Sequence, residues 1–224
     1  MASQLTQEQL DDLRGESRWP PTIVLCLAIA APLLLADRFS LVSKWIEPTL
    51  LAVLLVAHVI ADPGRIDRQS GATRVIGVGL LAVLVLGATS QAVVLTVELV
   101  NANKALNNPQ ALLSSGALVW LETIVAFSFA YWEIDSGGPA ARAHRHAKYP
   151  HLAFPEHMNP DLAPPGWRPL FVDYLYLGLT NATAFSPTDV MPLRHWAKLT
   201  MGVQAVLSLI ILGLVVARAV NILT

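Results

Sequence analysis

Three long apolar runs, residues 75–100, 111–134 and 196–223, constrain this chain more than any other feature. Each exceeds the ~20 residues that carry a helix across a ~30 Å hydrocarbon layer. In lipid the backbone must satisfy its own hydrogen bonds, and a single run does so as a helix. Composition agrees: 54% of residues are hydrophobic and 14% charged, against about 25% charged in an ordinary soluble domain. An all-α integral membrane protein is expected, placed in the plasma (inner) membrane with the lipid bilayer as its solvent. The formal net charge of −1 gives no reason to expect a nucleic-acid partner. Cys26 is the single cysteine, so no intramolecular disulfide can form.

Two further apolar runs, residues 22–36 and 50–61, are short. The first reaches only about 22 Å at ~1.5 Å per residue. It spans if Arg18 and Trp19, or Arg38 and Phe39, extend it, and the second needs residues 42–48 as its first turns. The start of the chain imitates a signal peptide, but Glu8, Asp11, Asp12 and Glu16 oppose the positive region a signal requires. Residues 22–36 are therefore read as a retained helix, preceded by a surface helix over 1–19 and started by Pro20-Pro21. Asp62-Pro63-Gly64 is a turn, and Tyr131-Trp132 suits an interfacial aromatic belt. The expected fold has about five transmembrane helices plus one re-entrant helix and loop, residues 171–193, before the last helix. It divides into a polar segment (1–21), a three-helix membrane region (22–110) and a pore-like module (111–224).

Residues 171–193 are too short and interrupted to cross a membrane, yet apolar runs flank them. Within them Thr180-Asn181-Ala182-Thr183-Ala184-Phe185-Ser186-Pro187-Thr188-Asp189-Val190-Met191-Pro192 resembles the pore signature of the potassium-channel superfamily, T-x-x-T-T-V-G-Y-G-D-[IV]-x-P. Thr180 and Thr183 fall on the outer threonines, and Asp189, Val190 and Pro192 on the closing D-[IV]-x-P. Asp173-Tyr174-Leu175-Tyr176 is similar to the start of the pore helix, and Trp196-Ala197-Lys198-Leu199 to the start of the inner helix. The resemblance implies a homotetramer conducting inorganic cations, with Thr180, Thr183, Ala184, Phe185, Ser186, Pro187, Thr188 and Asp189 at the filter. The centre departs from the family: Ser186-Pro187-Thr188 replaces Gly-Tyr-Gly. Glycine enters positive φ cheaply, whereas proline fixes φ near −65°. Four stacked carbonyl rings selective for potassium are therefore not expected, and a hydroxyl-lined mouth with relaxed selectivity is. Read without the family, Ser186-Pro187-Thr188-Asp189 is also a good helix-start sequence.

Thr200, Gln204 and Ser208 recur at i, i+4 and i+8, one helix face. That face lines a cavity or bonds to a neighbouring helix. Gly202 and Gly213 suit close helix packing. Glu122 and Glu98 are intramembrane acids, functional candidates by default. They supply an alternative, a non-conducting membrane protein or a proton-coupled small-solute transporter. The polar connection over residues 137–168 holds His144-Arg145-His146, His151, Glu156-His157 and Asp161, whose spacing matches no metal motif. It is read as a solvated loop. No cofactor, metal or enzyme activity is expected, since no motif pairs a nucleophile with a base, and no arginine ladder suggests voltage sensing. Orientation is contested. A pore loop entering from outside puts Arg65, Arg68, Arg74, Arg142, Arg145 and Lys148 outside, against the positive-inside tendency.

Overall fold

The computed structural model describes residues 15–35, 43–66, 70–101, 108–144, 150–164, 167–183 and 189–223. Its helices are α1 (Trp19–Leu34), α2 (Ile46–Ala61), α3 (Gly71–Val100), α4 (Pro109–Ile134), α5 (Pro139–His144), α6 (Pro155–Met158), α7 (Phe171–Thr183) and α8 (His195–Leu223). Four two-residue strands form two antiparallel pairs. β1 (Glu16–Ser17) joins β2 (Arg65–Ile66), and β3 (Leu152–Ala153) joins β4 (Met191–Pro192). The protein is all-α in its architecture, and α3, α4 and α8 are long and apolar enough to cross a membrane. Helices α1 and α2 have 16 residues each, about 24 Å apiece.

Local chemistry sets the helix starts. Pro20 and Pro21 occupy the first turn of α1, where a missing N–H costs nothing. Ser70 caps α3 by accepting from Thr73 N at 3.1 Å, while Thr73 Oγ1 accepts from Ser70 N at 3.2 Å. Asn108 Oδ1 accepts from Gln110 N at 2.9 Å ahead of Pro109. At the end of α4 the chain reverses through Ser136, Gly137 and Gly138, all at positive φ (52°, 90° and 93°). A side chain at Gly138 would also collide with Arg74 Nη1, 2.6 Å from where its Cβ would stand. Arg74 Nη1 needs that approach, because it donates to Glu133 O at 2.9 Å and Glu133 Oε1 at 2.8 Å. A cation is thereby held at the carbonyl end of α4, where the helix dipole favours it.

Helix α4 is the centre of the bundle and packs on α3, α7, α8 and α1. Every residue from Ala126 to Glu133 is buried. Helix α4 runs antiparallel to both α3 and α8. Arg74 of α3 meets Glu133 of α4. Gly116 of α4 faces Val215 of α8, while Tyr131 bonds Gln204 of α8. Arg18, just before α1, pairs with Asp62, just after α2, at 3.2 Å. One end of the bundle therefore gathers β1, β2, the C-terminal end of α4, α5 and the beginnings of α1, α3, α7 and α8. We call it the capped end.

Several expectations change. Residues 16–17 form β1 rather than part of a surface helix, because strand pairing to 65–66 and the Glu16 carboxylate tie them to the bundle. Tyr131 and Trp132 do not form an outward aromatic belt; both are buried, at 0% and 6% exposure. The described part of 137–168 is solvated only in part: Arg142, Leu152 and Phe154 are buried, whereas residues 157–162 are exposed. Gly202 and Gly213 meet nothing within 4 Å of an added Cβ, so neither serves close packing within the chain.

Candidate functional site

The candidate site is built on α4, α7 and α8. Helix α7 begins where Asp173 Oδ2 accepts from Leu170 N at 2.7 Å, closing its first turn. Phe171 packs on Phe129 and Trp132 of α4, with ring centroids 4.7 and 5.5 Å apart. Seven residues later Gly178 lies against α4 with no room for a Cβ: Ser128 Oγ already fills the position, and Ile124 O stands 3.1 Å from it. Helix α7 ends beside α8, where Asn181 Nδ2 donates to Met201 O at 2.9 Å. The chain then returns to β4, whose partner β3 follows His151. His151 Nδ1 accepts from Ser136 N at 3.3 Å, and its ring meets Trp196 at 5.8 Å. Helix α7 thus runs from the capped end to Met201, about two turns into α8, and β4 lies at the capped end beside β3.

Gln204 holds the tip. Its Nε2 donates to Gly178 O at 2.8 Å, and its Oε1 accepts from Tyr131 Oη at 2.6 Å and Asn181 Nδ2 at 2.8 Å. Its side-chain amide is fully used inside one chain and 0% exposed. Ser208 is equally buried, and Thr200 Oγ1 donates to its own helix at Trp196 O, 2.8 Å. Thr180 and Thr183 lie in the last turn of α7 and donate to Tyr176 O and Thr180 O, at 2.9 and 2.8 Å. Ala184, Phe185, Ser186, Pro187 and Thr188 lie outside the described residues. Asp189 is exposed on the return limb.

The capped end is held by charges that the sequence named only in the leader and orientation arguments, Glu16 and Arg142, together with Asp135. Glu16 accepts from Trp132 Nε1 at 2.8 Å and from Phe171 N, joining β1, α4 and α7. Burial raises its carboxyl above the usual range, against the pull of those two donors and of Arg142. Arg142 Nη1 donates to Trp132 O and Asp135 O, both at 2.7 Å, and its guanidinium lies 4.8 Å over the Tyr174 ring. Tyr174 Oη donates to Asp135 Oδ2 at 2.6 Å. The one advance signal was Tyr174 itself, in the aromatic start of the pore-like helix. His157 Nδ1 accepts from Phe154 N at 3.2 Å, and partial desolvation of this otherwise exposed side chain lowers its pKa. Among the described residues no group of three or more His, Cys, Asp or Glu is placed to hold a metal.

Glu122 and Glu98 do not meet. Glu98 is half-buried near the far end of α3, whereas Glu122, 7% exposed, lies beside Gln91 and near Glu47 of α2. Glu47 was missed because it sits in a short apolar segment whose neighbours only the bundle reveals. Comparison with protein-family models, with curated proteins and with solved structures finds no match to this chain.

Proposed function

We propose that four copies of this chain surround a cation-conducting pore, with residues 171–195 as the re-entrant segment and α8 as the inner helix of each. The seat of α7 carries this reading, since the segment starts and finishes at the capped end with its tip anchored at Met201 and Gln204. The C-terminal end of a helix carries about half a negative charge, so that end of α7 favours a cation nearby. Thr180 and Thr183 belong to that turn. Four copies of Asp189 attract cations without separating sodium from potassium, and Ser186-Pro187-Thr188 speaks against a potassium filter. One such segment encloses nothing, so the homotetramer is part of the proposal. Gln204 and Ser208 turn into the protomer, so the cavity walls in this reading are Val203, Val206 and Ile210, all outward on α8. An apolar constriction of this kind gates by dewetting. Helices α1 and α2, about 24 Å each, complete five crossings as a hairpin in a locally thinned bilayer.

Purified protein in lipid nanodiscs should be tetrameric, and planar-bilayer recording should show cation currents. Asp189→Asn is expected to lower unitary conductance several-fold and weaken preference for cations over anions. A monomer, or unchanged conductance and preference, overturns the proposal. The buried position of Glu122 favours a second reading, a non-conducting protein or proton-coupled solute transporter. Solute-driven proton uptake abolished by Glu122→Gln, without single-channel currents, would select it.

A further inference from the structure

The bundle has a step in it. Helix α3 runs 30 residues from the capped end, about 45 Å, while its neighbour α2 covers only 16 residues, about 24 Å. The first turn of α2 therefore opens part-way along α3. There the half-buried Glu47 lies against Gly87, where an added Cβ would overlap its carboxylate, and its Oε2 accepts from Gln91 Nε2 at 3.1 Å. Gln91 is 2% exposed and lies beside Glu122. Both carboxyl oxygens of Glu122 and the carbonyl oxygen of Gln91 are buried without a hydrogen-bond partner among the described residues. Three helices thus bring two carboxyl groups to one amide.

A buried carboxylate with no donor is costly, by several kcal/mol even after relaxation. Two of them near one neutral amide repel each other as well. The charged or amide groups that bear on Glu122 among the described residues are Glu47 from α2 and Gln91 from α3. On α8, Gln204 is spent on Tyr131, Asn181 and Gly178, and Ser208 is neutral. Among the described residues no cation is placed to act on either carboxyl group. We propose that Glu47, Gln91 and Glu122 form a proton-binding site in which the two carboxyl groups share one exchangeable proton. Glu47, half-buried at the step, is the entrance; Glu122 is the inner group; Gln91 orients both. Loading is a simple addition of H⁺ to a carboxylate oxygen and needs no co-reactant. The site lies outside α7 and stands whether or not the chain conducts.

Infrared spectroscopy of the purified full chain tests this. At neutral pH a protonated-carboxyl C=O band is expected that shifts in ²H₂O and disappears as pH rises. Glu122→Gln should remove it. Glu47→Gln should keep it but move its midpoint to lower pH, because a nearby negative charge is gone. No band, a band indifferent to Glu122→Gln, a midpoint unmoved by Glu47→Gln, or a proton that does not exchange overturns the proposal. If a variant fails to fold, wild-type protein still decides. A hydrophobic carbodiimide should label Glu122 at pH 7, with labelling falling about tenfold per pH unit above the midpoint. Protection by sodium ions at constant pH would assign the site to a metal cation and overturn the proton.

Discussion

A glutamine inside an apolar helix is costly unless all its polar atoms find partners, and Gln204 finds them on two other helices of the same chain. Its spacing with Thr200 and Ser208 was legible in the sequence, but the surface that this face meets was not. His157 shows the same dependence on context at the capped end. Its ring packs near Phe154 and Trp167, at 6.1 and 5.2 Å, and its Nδ1 accepts from Phe154 N. Partial desolvation against those rings lowers its pKa although the residue is exposed, with Asp135 and Glu156 pulling the other way. The folded state therefore binds this proton less tightly than the unfolded chain. Its contribution to stability is complete above the ordinary histidine value, about 6.5, and is lost as pH falls through the lowered one. Thermal unfolding should show a lower midpoint at pH 5 than at pH 7, and His157→Gln should remove that component. An equal acid slope in both proteins would assign the loss to other groups.

At the scale of elements, the placement of α7 and α8 on α4 depends on two missing side chains. Gly178 lets α7 rest on Ser128 and Ile124, and Gly116 lets α8 rest on α4 with Val215 Cγ2 2.7 Å from where a Cβ would stand. In lipid, helices associate through such close packing rather than through exclusion of water. Gly178→Ala is expected to cost about 1–3 kcal/mol, the usual penalty for overpacking. Ser128→Ala in the same protein should recover part of it, because Ser128 Oγ is the nearest obstacle. Unfolding of the single and double variants in mixed micelles reads this directly. An identical cost with and without Ser128 would mean that α7 rests elsewhere. Gly178 was visible in the sequence as a glycine in a short helix, but nothing there named Ser128, 50 residues earlier, as its partner.

For the whole molecule, the arrangement fixes which ends share a side. Ser17 and Asp161 belong to the capped end, while Asn221 lies in the last turn of α8 at the opposite end; all three are exposed. With Cys26 replaced, single cysteines at Ser17 and Asp161 should react with an impermeant thiol reagent from one side of the membrane. A cysteine at Asn221 should react from the other. Labelling of all three from one side would break the antiparallel order of α3, α4 and α8. Which side carries the capped end is what the sequence left contested over Arg65, Arg68, Arg74, Arg142, Arg145 and Lys148; in the structure Arg18, Arg65, Arg74, Arg142 and Arg168 gather there. All five of these arginines donate to backbone carbonyls, those of Gly15, Asp62, Glu133, Trp132, Asp135 and Ala143 among them. Their clustering thus has a structural cause as well as a bearing on orientation.

By itself the sequence determined the membrane class, the three long helices, the turn at Asp62-Pro63-Gly64 and the interrupted segment before α8. Each follows from local quantities: apolar run length, proline and glycine at boundaries, and the spacing of hydroxyls. Only the tertiary structure decided that Tyr131 faces inward, that Glu16 ties β1 to α7, and that Glu47 joins Gln91 and Glu122. Those pairings span separations of 44 to 155 residues in the hydrogen bonds that define them. In a bilayer the choice among lipid-exposed and buried faces carries little hydrophobic signal, so nothing in the apolar pattern announces it. The polar residues that settle it become informative once their partners are in place.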